Sequence, residues 1–560
     1  MKFILGIFLL LNMAGMSAAE TAPSAAEPTK LVDIGRRIYQ DGILENGETL
    51  QGMSAAQVTV KGKQAACTVC HRKSGLGSSE GANIIRPIVG RYIFPAQKSK
   101  ADTQVTSELH KRALYAPAST RAEYTPGAFA KVLRLGVDYN GQSLDQLMPR
   151  YNLNDKDIAA LTAYLNTLSS RADPGVDQES IHFATVVMPG AKPSESKAML
   201  DVLDAFFADK NGGSRSEARR RAVGTEVGYR SYRRWMLHVW NLTGPAESWN
   251  TQLEQYYSKQ PVFAVISGIG GDNWRALHDF CERQEVPCMF PSSNLPVTDN
   301  AYYSFYFSRG MVLEAEVLAK YLAKQIGKQS SILQVFNQQD SAGAMAAKVL
   351  RDKLQNLGGK TEVSDWILPA NMDAAIWQKL LQDKQPQTLV MWLNKEDLLK
   401  FSQWDSTGYA PQQIIFSGSM LGSTIASDSS LLGKSLQKYS NKIRLVYPFE
   451  LPRQTAQYLQ RTKLWLRAKK LAVTEEQIQA NTYFAAMVVG DSISHILDQY
   501  YRDYFIERLE HMVARSLVTS VYPHMSLGPG QRYASKGAYV IKYSQQSGRL
   551  VEPLTEWVVP

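Results

Sequence analysis

The chemistry-bearing residues of this chain concentrate in one short run. Cys67-Thr68-Val69-Cys70-His71 sets two thiols three positions apart and an imidazole directly after the second. Two thiols at that spacing can add to the two vinyl groups of one haem, and the adjacent histidine is then placed to bind iron. A single helical turn must present both sulfurs and the ring to one macrocycle, which is why the spacing is so short. A zinc site would want a second Cys-x-x-Cys, and none is present. The run predicts one covalent haem c, attached at Cys67 and Cys70, with His71 as an axial ligand of the iron.

The opposite face of the iron needs a soft or imidazole donor. Met148 is the expected ligand, in Gln146-Leu147-Met148-Pro149-Arg150-Tyr151, where proline stiffens the loop. Met53 and His110 are the alternatives. A helix must follow directly, from Asn154 to Leu168. Asn154 can cap it, Asp155 and Asp157 suit its positive end, and Ile158, Leu161, Leu165 and Leu168 form one apolar stripe.

The other two cysteines, Cys281 and Cys288, flank Glu282 to Pro287 without nearby histidines. In an oxidising compartment such a pair reads as a structural disulfide. The N-terminus points to that compartment. Lys2, the apolar run Phe3 to Leu11 and the small residues Ser17-Ala18-Ala19 read as a signal peptide over 1–19, cleaved before Glu20. An uncleaved anchor is the alternative. No later stretch has eighteen uninterrupted apolar residues, so no integral membrane segment is expected after cleavage. The signal and the haem motif together predict the periplasm.

The 560 residues carry a formal charge of +10, with 44% hydrophobic and 20% charged residues, as in ordinary globular protein. Export makes nucleic acid an unsuitable partner for that charge. The densest basic region, Arg219-Arg220-Arg221 with Arg230, Arg233 and Arg234, reads either as a solvated face or as a docking surface for an acidic redox partner protein or anionic lipid.

These chemistries need scaffolds, and the chain changes rhythm to supply them. Residues 20–30 read as a flexible leader rich in Ala, Pro, Ser and Thr. Residues 31–170 open on a helix over Leu31–Tyr39, continue through the haem motif and a Gly/Pro-rich stretch, and close on the helix at Asn154. Residues 171–179, with Asp173-Pro174-Gly175, read as a linker. From 180 to 560, short apolar runs alternate with amphipathic helices. The runs include Ile181–Met188, Val262–Ile266, Ile332–Phe336, Thr388–Leu393 and Gln413–Phe416. That βαβα order predicts parallel sheets covered by helices, in too many strands for one small sheet, hence two Rossmann-like lobes. The stretch from Leu451 to about Ser516 turns helical, and Ala538–Tyr543 with Val551–Val558 reads as a terminal hairpin.

Residues 31–170 resemble a class I cytochrome c. Gly35 and Tyr39 match that family's first helix, and Ala163-Tyr164-Leu165 its last, which crosses the first. The resemblance implies an all-α domain, His/Met ligation and one-electron transfer. The long stretch between Ser74 and Arg134 departs from the pattern. Residues 180–560 resemble a type I periplasmic binding protein of the branched-chain amino acid receptor type. The likeness lies in Val262-Phe263-Ala264-Val265-Ile266-Ser267-Gly268, in Val286-Pro287-Cys288-Met289-Phe290-Pro291, and in Arg309 ahead of the Met311 helix. It implies an α/β two-lobed fold that binds a small molecule in the interlobe cleft, at the carboxyl ends of parallel strands. Those ends carry Ser267, Gly268, Ser292, Ser293, Asn337, Gln338, Trp392, Asn394 and Ser417, with Asp340 and Glu396 after the strands of the second lobe. Ser, Gly and Asn also end strands merely as turn formers. The first-strand loop, Met188-Pro189-Gly190-Ala191, departs from the Ser/Gly-rich ligand loop of the family.

Signals of catalysis are weak. Gly268-Ile269-Gly270-Gly271 lacks the rest of a dinucleotide fingerprint, and Ser419 has glycine on one side only at nucleophile-elbow spacing. His495 and His511 read as packing or surface residues. The expectation is an electron carrier or binding protein rather than a catalyst. Two other readings stay open: a cytochrome subunit of a periplasmic oxidoreductase, and a transporter's solute receptor with an appended haem.

Overall fold

The computed structural model describes residues 26–560 apart from 55–56, 81–82, 97–121, 222–232, 298, 300, 326–329, 357–360, 400, 402–408, 429–435, 437–438, 497, 513–519 and 545–549. Two compact units divide the chain at Ser170 and Arg171. The signal peptide, His110 and Arg230 lie outside the described residues, as do the side chains of Arg219, Arg220 and Arg221.

The first unit begins with a helix over Ala26–Asp41, so the second half of the expected leader is already helical. That helix crosses the capped helix Asp155–Thr167. Gly35 sits at the crossing, where a Cβ would overlap the Ala160 carbonyl oxygen, so only glycine permits this approach. Tyr39 packs on Tyr164 one turn away, ring centroids 5.3 Å apart. Asn154 and Asp157 form a reciprocal capping box that fixes where the last helix starts. Strands β1 (Gln51–Met53), β2 (Thr59–Lys61) and β5 (Arg150–Tyr151) make a small antiparallel sheet in the order β2-β1-β5. A hairpin of β3 (Ser78–Glu80) and β4 (Asn83–Ile85) and the helices Gly90–Ile93 and Pro126–Leu135 occupy the stretch that departs from the cytochrome pattern.

The second unit has two lobes, each built on a sheet. The first holds β6 (Ser180–Val187), β7 (Arg234–Asn241), β8 (Ala264–Ile266), β9 (Cys288–Met289) and β10 (Ser304–Phe305), all parallel, in the order β10-β9-β8-β6-β7. The second holds β11 (Ser330–Phe336), β12 (Thr361–Ile367), β13 (Thr388–Trp392), β14 (Gln413–Ser417) and β15 (Ile443–Tyr447) in parallel, extended by antiparallel β16 (Tyr539–Tyr543) and β17 (Val551–Pro553). The central strands are apolar on both faces because helices cover both, as the burial of Ala264, Val265 and Ile266 shows. After β15 the chain returns to the first lobe. The helices Glu476–Ile496 and Arg502–Met512 bring Phe484 to 5.3 Å from Phe290 and Phe505 to 5.6 Å from Phe263.

At the base of the first lobe sits Arg502, 4% exposed. Its guanidinium donates to the carbonyls of Val262, Phe263, Gln284, Glu285 and Pro174 and to the Tyr257 hydroxyl, at 2.8–3.2 Å. Its own backbone N–H donates to Asp173. Residues Asp173 and Pro174 are therefore fastened into the lobe. A disulfide joins Cys281 to Cys288, Cα atoms 6.2 Å apart, tying the helix Arg275–Arg283 to β9. A Cys281→Ser/Cys288→Ser double variant is expected to lose only ~2–3 kcal/mol in a denaturant titration, because the closed loop is short.

Candidate functional site

In the first unit the Cys67–His71 run forms one helical turn. The Cys67 carbonyl accepts the N–H of His71 at 2.8 Å and that of Cys70 at 3.3 Å. Neighbouring groups fasten the turn to the first helix: the Tyr39 hydroxyl donates to the Arg72 carbonyl at 2.8 Å, and the Thr68 hydroxyl to the Gln40 carbonyl at 3.4 Å. His71 Nδ1 lies 3.0 Å from the Arg86 carbonyl oxygen. A carbonyl can only accept, so Nδ1 carries the proton and Nε2 keeps its lone pair. Burial lowers the imidazole pKa to about 4, which keeps it neutral and able to bind metal at physiological pH.

The Met148 loop leads into Tyr151 on β5. Tyr151, three residues on, has its phenol pushed up by burial first and then by Cys67 and Cys70, so those thiols lie within electrostatic reach of it. Arg150 donates to the carbonyls of Met148 and Leu144, bracketing the loop from within. It lies against Gly136, the left-handed residue that ends the helix Pro126–Leu135. Met148 is half-buried, whereas Met53 on β1 is 52% exposed. Two thiols and a metal-ready imidazole on one turn fit covalent haem. When bound, haem supplies a one-electron iron couple. What this chain supplies is the orientation of the His71 ring through Arg86 and the fastening of the turn.

In the second unit a cavity of about 760 Å³ opens between the lobes. Of the residues expected there, Ser292, Ser293 and Asn394 line it. The other six do not. Ser267 is 1% exposed and directs its hydroxyl to Thr482 at 3.3 Å, with Gly268 packed beside Trp274. Trp392 is fully buried, its indole N–H donating to Gln334 Oε1 at 2.9 Å. Ser417 is buried and caps the short helix Gly418–Leu421 through the Met420 N–H. Asn337 donates to Asp397, and Gln338 is exposed outside the cavity. These strand ends act as turn formers and core polar groups, the reading their residue types equally allowed.

The cavity wall instead uses residues one step beyond the strands. From the first lobe come Gly190, Lys192, Glu195 and Asp272, and from the second Asp340, Glu396 and Ser419. Asp340 and Glu396 were legible as polar residues after second-lobe strands. Lys192 and Asp272 were missed, although each lies within two residues after a glycine in a loop past a first-lobe strand. Behind Ser419, fully buried Glu314 accepts the N–H groups of Gly418 and Ser419 at 3.1 and 2.9 Å, and burial pushes its carboxyl up to about 7. It fixes the backbone of the second-lobe wall. Asn481, also on the cavity wall, accepts the Ser520 hydroxyl through its Oδ1 at 2.9 Å.

Comparison with known proteins matches each unit separately. The cytochrome c family matches residues 60–169, and the periplasmic binding protein family matches residues 244–541. Among solved structures, the chain is similar to a leucine binding protein from Thermotoga maritima, at 12% identity over 68% of this chain and 99% of that one, with a TM-score of 0.48. It is similar to a branched-chain amino acid transporter substrate binding protein from Streptococcus pneumoniae in complex with isoleucine, at 13% identity over 68% and 100%, TM-score 0.47. A third is a solute binding protein from Rhodopseudomonas palustris in complex with 3,4-dihydroxybenzoic acid, at 13% over 68% and 98%, TM-score 0.49. No curated protein matches.

Proposed function

The chain belongs to the periplasmic binding protein family and carries a cytochrome c domain ahead of it, and from that premise we propose that it is a periplasmic electron-transfer protein whose second unit binds a small molecule. The observation that carries the redox half is the His71 ring, anchored through Nδ1 on Arg86 with Nε2 left for iron. A histidine that served only packing would not need its ring placed beside two paired thiols. The reading includes a single haem c attached through Cys67 and Cys70, with His71 and Met148 as axial ligands and a separate protein as redox partner. The binding half rests on the polar interlobe cavity, whose walls carry both charge signs and hydroxyls from strand-following loops. Native mass spectrometry of protein taken from its own periplasm tests that half. A small molecule retained with the wild type supports it, and a cleft that retains nothing across gentle desolvation conditions counts against it.

The ligand assignment has its own test. Thioether ligation of ferric haem gives a weak band at the red end of the visible spectrum. Met148→Ala is expected to abolish that band and lower the haem potential, because methionine favours the ferrous state. Met53→Ala is expected to leave both unchanged. The reverse pattern would move the ligand to β1.

A further inference from the structure

One side chain closes the loop that carries Met148. The turn begins at Asp145, whose carbonyl accepts the Met148 N–H at 3.2 Å and whose carboxylate accepts the Leu147 N–H at 2.9 Å. Those bonds fix the inside of the turn and leave the carbonyls of Leu144 and Met148, at its two ends, for another donor. Arg150 takes both: Nη1 donates to the Met148 carbonyl and Nη2 to that of Leu144, the latter at 3.3 Å. The Leu144 N–H in turn donates to the Gly136 carbonyl at 2.8 Å, which ties the turn to the end of the helix Pro126–Leu135. Gly136 also makes room for the clasp. A Cβ there would overlap the Arg150 guanidinium, and that group, the far end of a flexible side chain, is what would move.

We propose that Arg150 is a positioning residue for the Met148 thioether, and that its two-pronged clasp sets how readily the methionine releases the haem iron. The inference rests on Met148 being the axial ligand. Packing does not hold the tip of this loop, because Asp145, Gln146 and Leu147 are all exposed, Leu147 by 65%. Hydrogen bonds must do it instead. A guanidinium presents its donors in a rigid plane, so one group can hold two carbonyls at a fixed separation. Arg150 is itself anchored, since it lies on β5 opposite Met53 of β1. Pro149 fixes the backbone between the clasp and the ligand.

An added ligand reads the released fraction. Imidazole can take the methionine's place on ferric haem only after Met148 has left, so its apparent affinity scales with the fraction of chains in which the thioether is off. Imidazole is therefore titrated into the full, haem-loaded ferric chain and followed at the red-end thioether band. Arg150→Gln removes the clasp, and Gly136→Ala displaces it while leaving the arginine in the chain. Each should tighten imidazole binding by about tenfold, the effect of losing one or two hydrogen bonds from a charged donor. If Arg150→Gln fails to fold, Gly136→Ala carries the test.

Two further variants separate positioning from general loosening. Gly141 has φ +78° against +67° for Gly136, but nothing lies within 4 Å of a Cβ built there. Gly141→Ala thus carries similar backbone strain without touching the clasp, and should leave imidazole binding as in wild type. Arg134 donates to the Leu153 carbonyl and to Asp155, both at 2.7 Å, beyond the turn. Arg134→Gln should lower the urea midpoint of the haem unit and leave imidazole affinity unchanged. Wild-type imidazole affinity in folded Arg150→Gln and Gly136→Ala overturns the proposal. Equal tightening in Arg134→Gln or Gly141→Ala also overturns it, since the effect would then be general loosening. A thioether band that survives Met148→Ala is a separate result, which removes the ligand assignment itself and the proposal with it.

Discussion

An Arg502→Ala variant is expected to lose about 4–6 kcal/mol of stability in its second unit, enough to unfold or nearly unfold the first lobe at physiological temperature. Removing the guanidinium leaves five carbonyls and the Tyr257 hydroxyl at the lobe base without this donor, two of the carbonyls in the fully buried residues Val262 and Phe263. Each buried acceptor so stranded costs about 1–3 kcal/mol, and the total is smaller than their sum because water re-enters part of the cavity. Arg502→Lys should recover little. A lysine has three donors on one nitrogen and cannot span carbonyls from three separate loops. Arg283→Ala, which breaks an exposed pair with Glu254, is the control and should cost under about 1 kcal/mol. Urea unfolding followed by tryptophan fluorescence, with haem absorbance recorded in parallel, gives the comparison. A loss below about 2 kcal/mol for Arg502→Ala would show that its carbonyl partners find replacements.

Loss of either motif thiol is expected to have the larger chemical effect. Wild-type protein exported in a host that matures c-type cytochromes should give a pyridine haemochrome spectrum at one equivalent of haem per chain. Cys67→Ala should lower covalent haem by about tenfold or more, because attachment by one thioether leaves the macrocycle held on one side only. His71→Ala should leave attachment possible but remove the proximal nitrogen that Arg86 orients. A wild type that is folded and carries no haem would end the redox reading, while leaving the interlobe cavity and its predictions standing.

The haem turn was legible in the sequence because its grammar is local. Five consecutive residues fix the spacing of two sulfurs and one ring, and a single helical turn realises it. The capped helix at Asn154 was legible for the same reason, its cap and apolar stripe being contained in fifteen residues. The parallel strands of the second unit also followed from alternation of apolar runs and helices, though two-residue β10 was too short to leave a pattern and the order of the strands in each sheet was not legible. The cavity was less legible. A hydroxyl at a strand's end can face the cleft, the core or the next turn, and sequence gives its distance along the strand but not the phase. Ser267 and Ser417 turned inward, and Trp392 found a buried partner in Gln334 on the neighbouring strand. Lys192 and Asp272 lie past the strands, where the path of the loop decides what they face. Arg502 carried no signal at all, since its partners come from stretches more than two hundred residues away.

The second unit's helices from residues 476–512 fill the core of the first lobe, and its last strands, β16 and β17, complete the sheet of the second. Neither lobe is a continuous stretch of chain, so neither can close while the protein is still being made. The first lobe lacks Phe484 and Phe505 until about nine-tenths of the chain has emerged, and the second lacks its edge until nearly the whole of it has. Contacts between such distant residues fold slowly, and unpaired parallel strands are prone to associate while they wait. The N-terminal unit, by contrast, is contiguous from 26 to 170 and has all its own partners early. Biogenesis of this protein is therefore ordered from the N-terminus, with a long interval in which a finished small domain is followed by an unfinished large one that needs protection from aggregation.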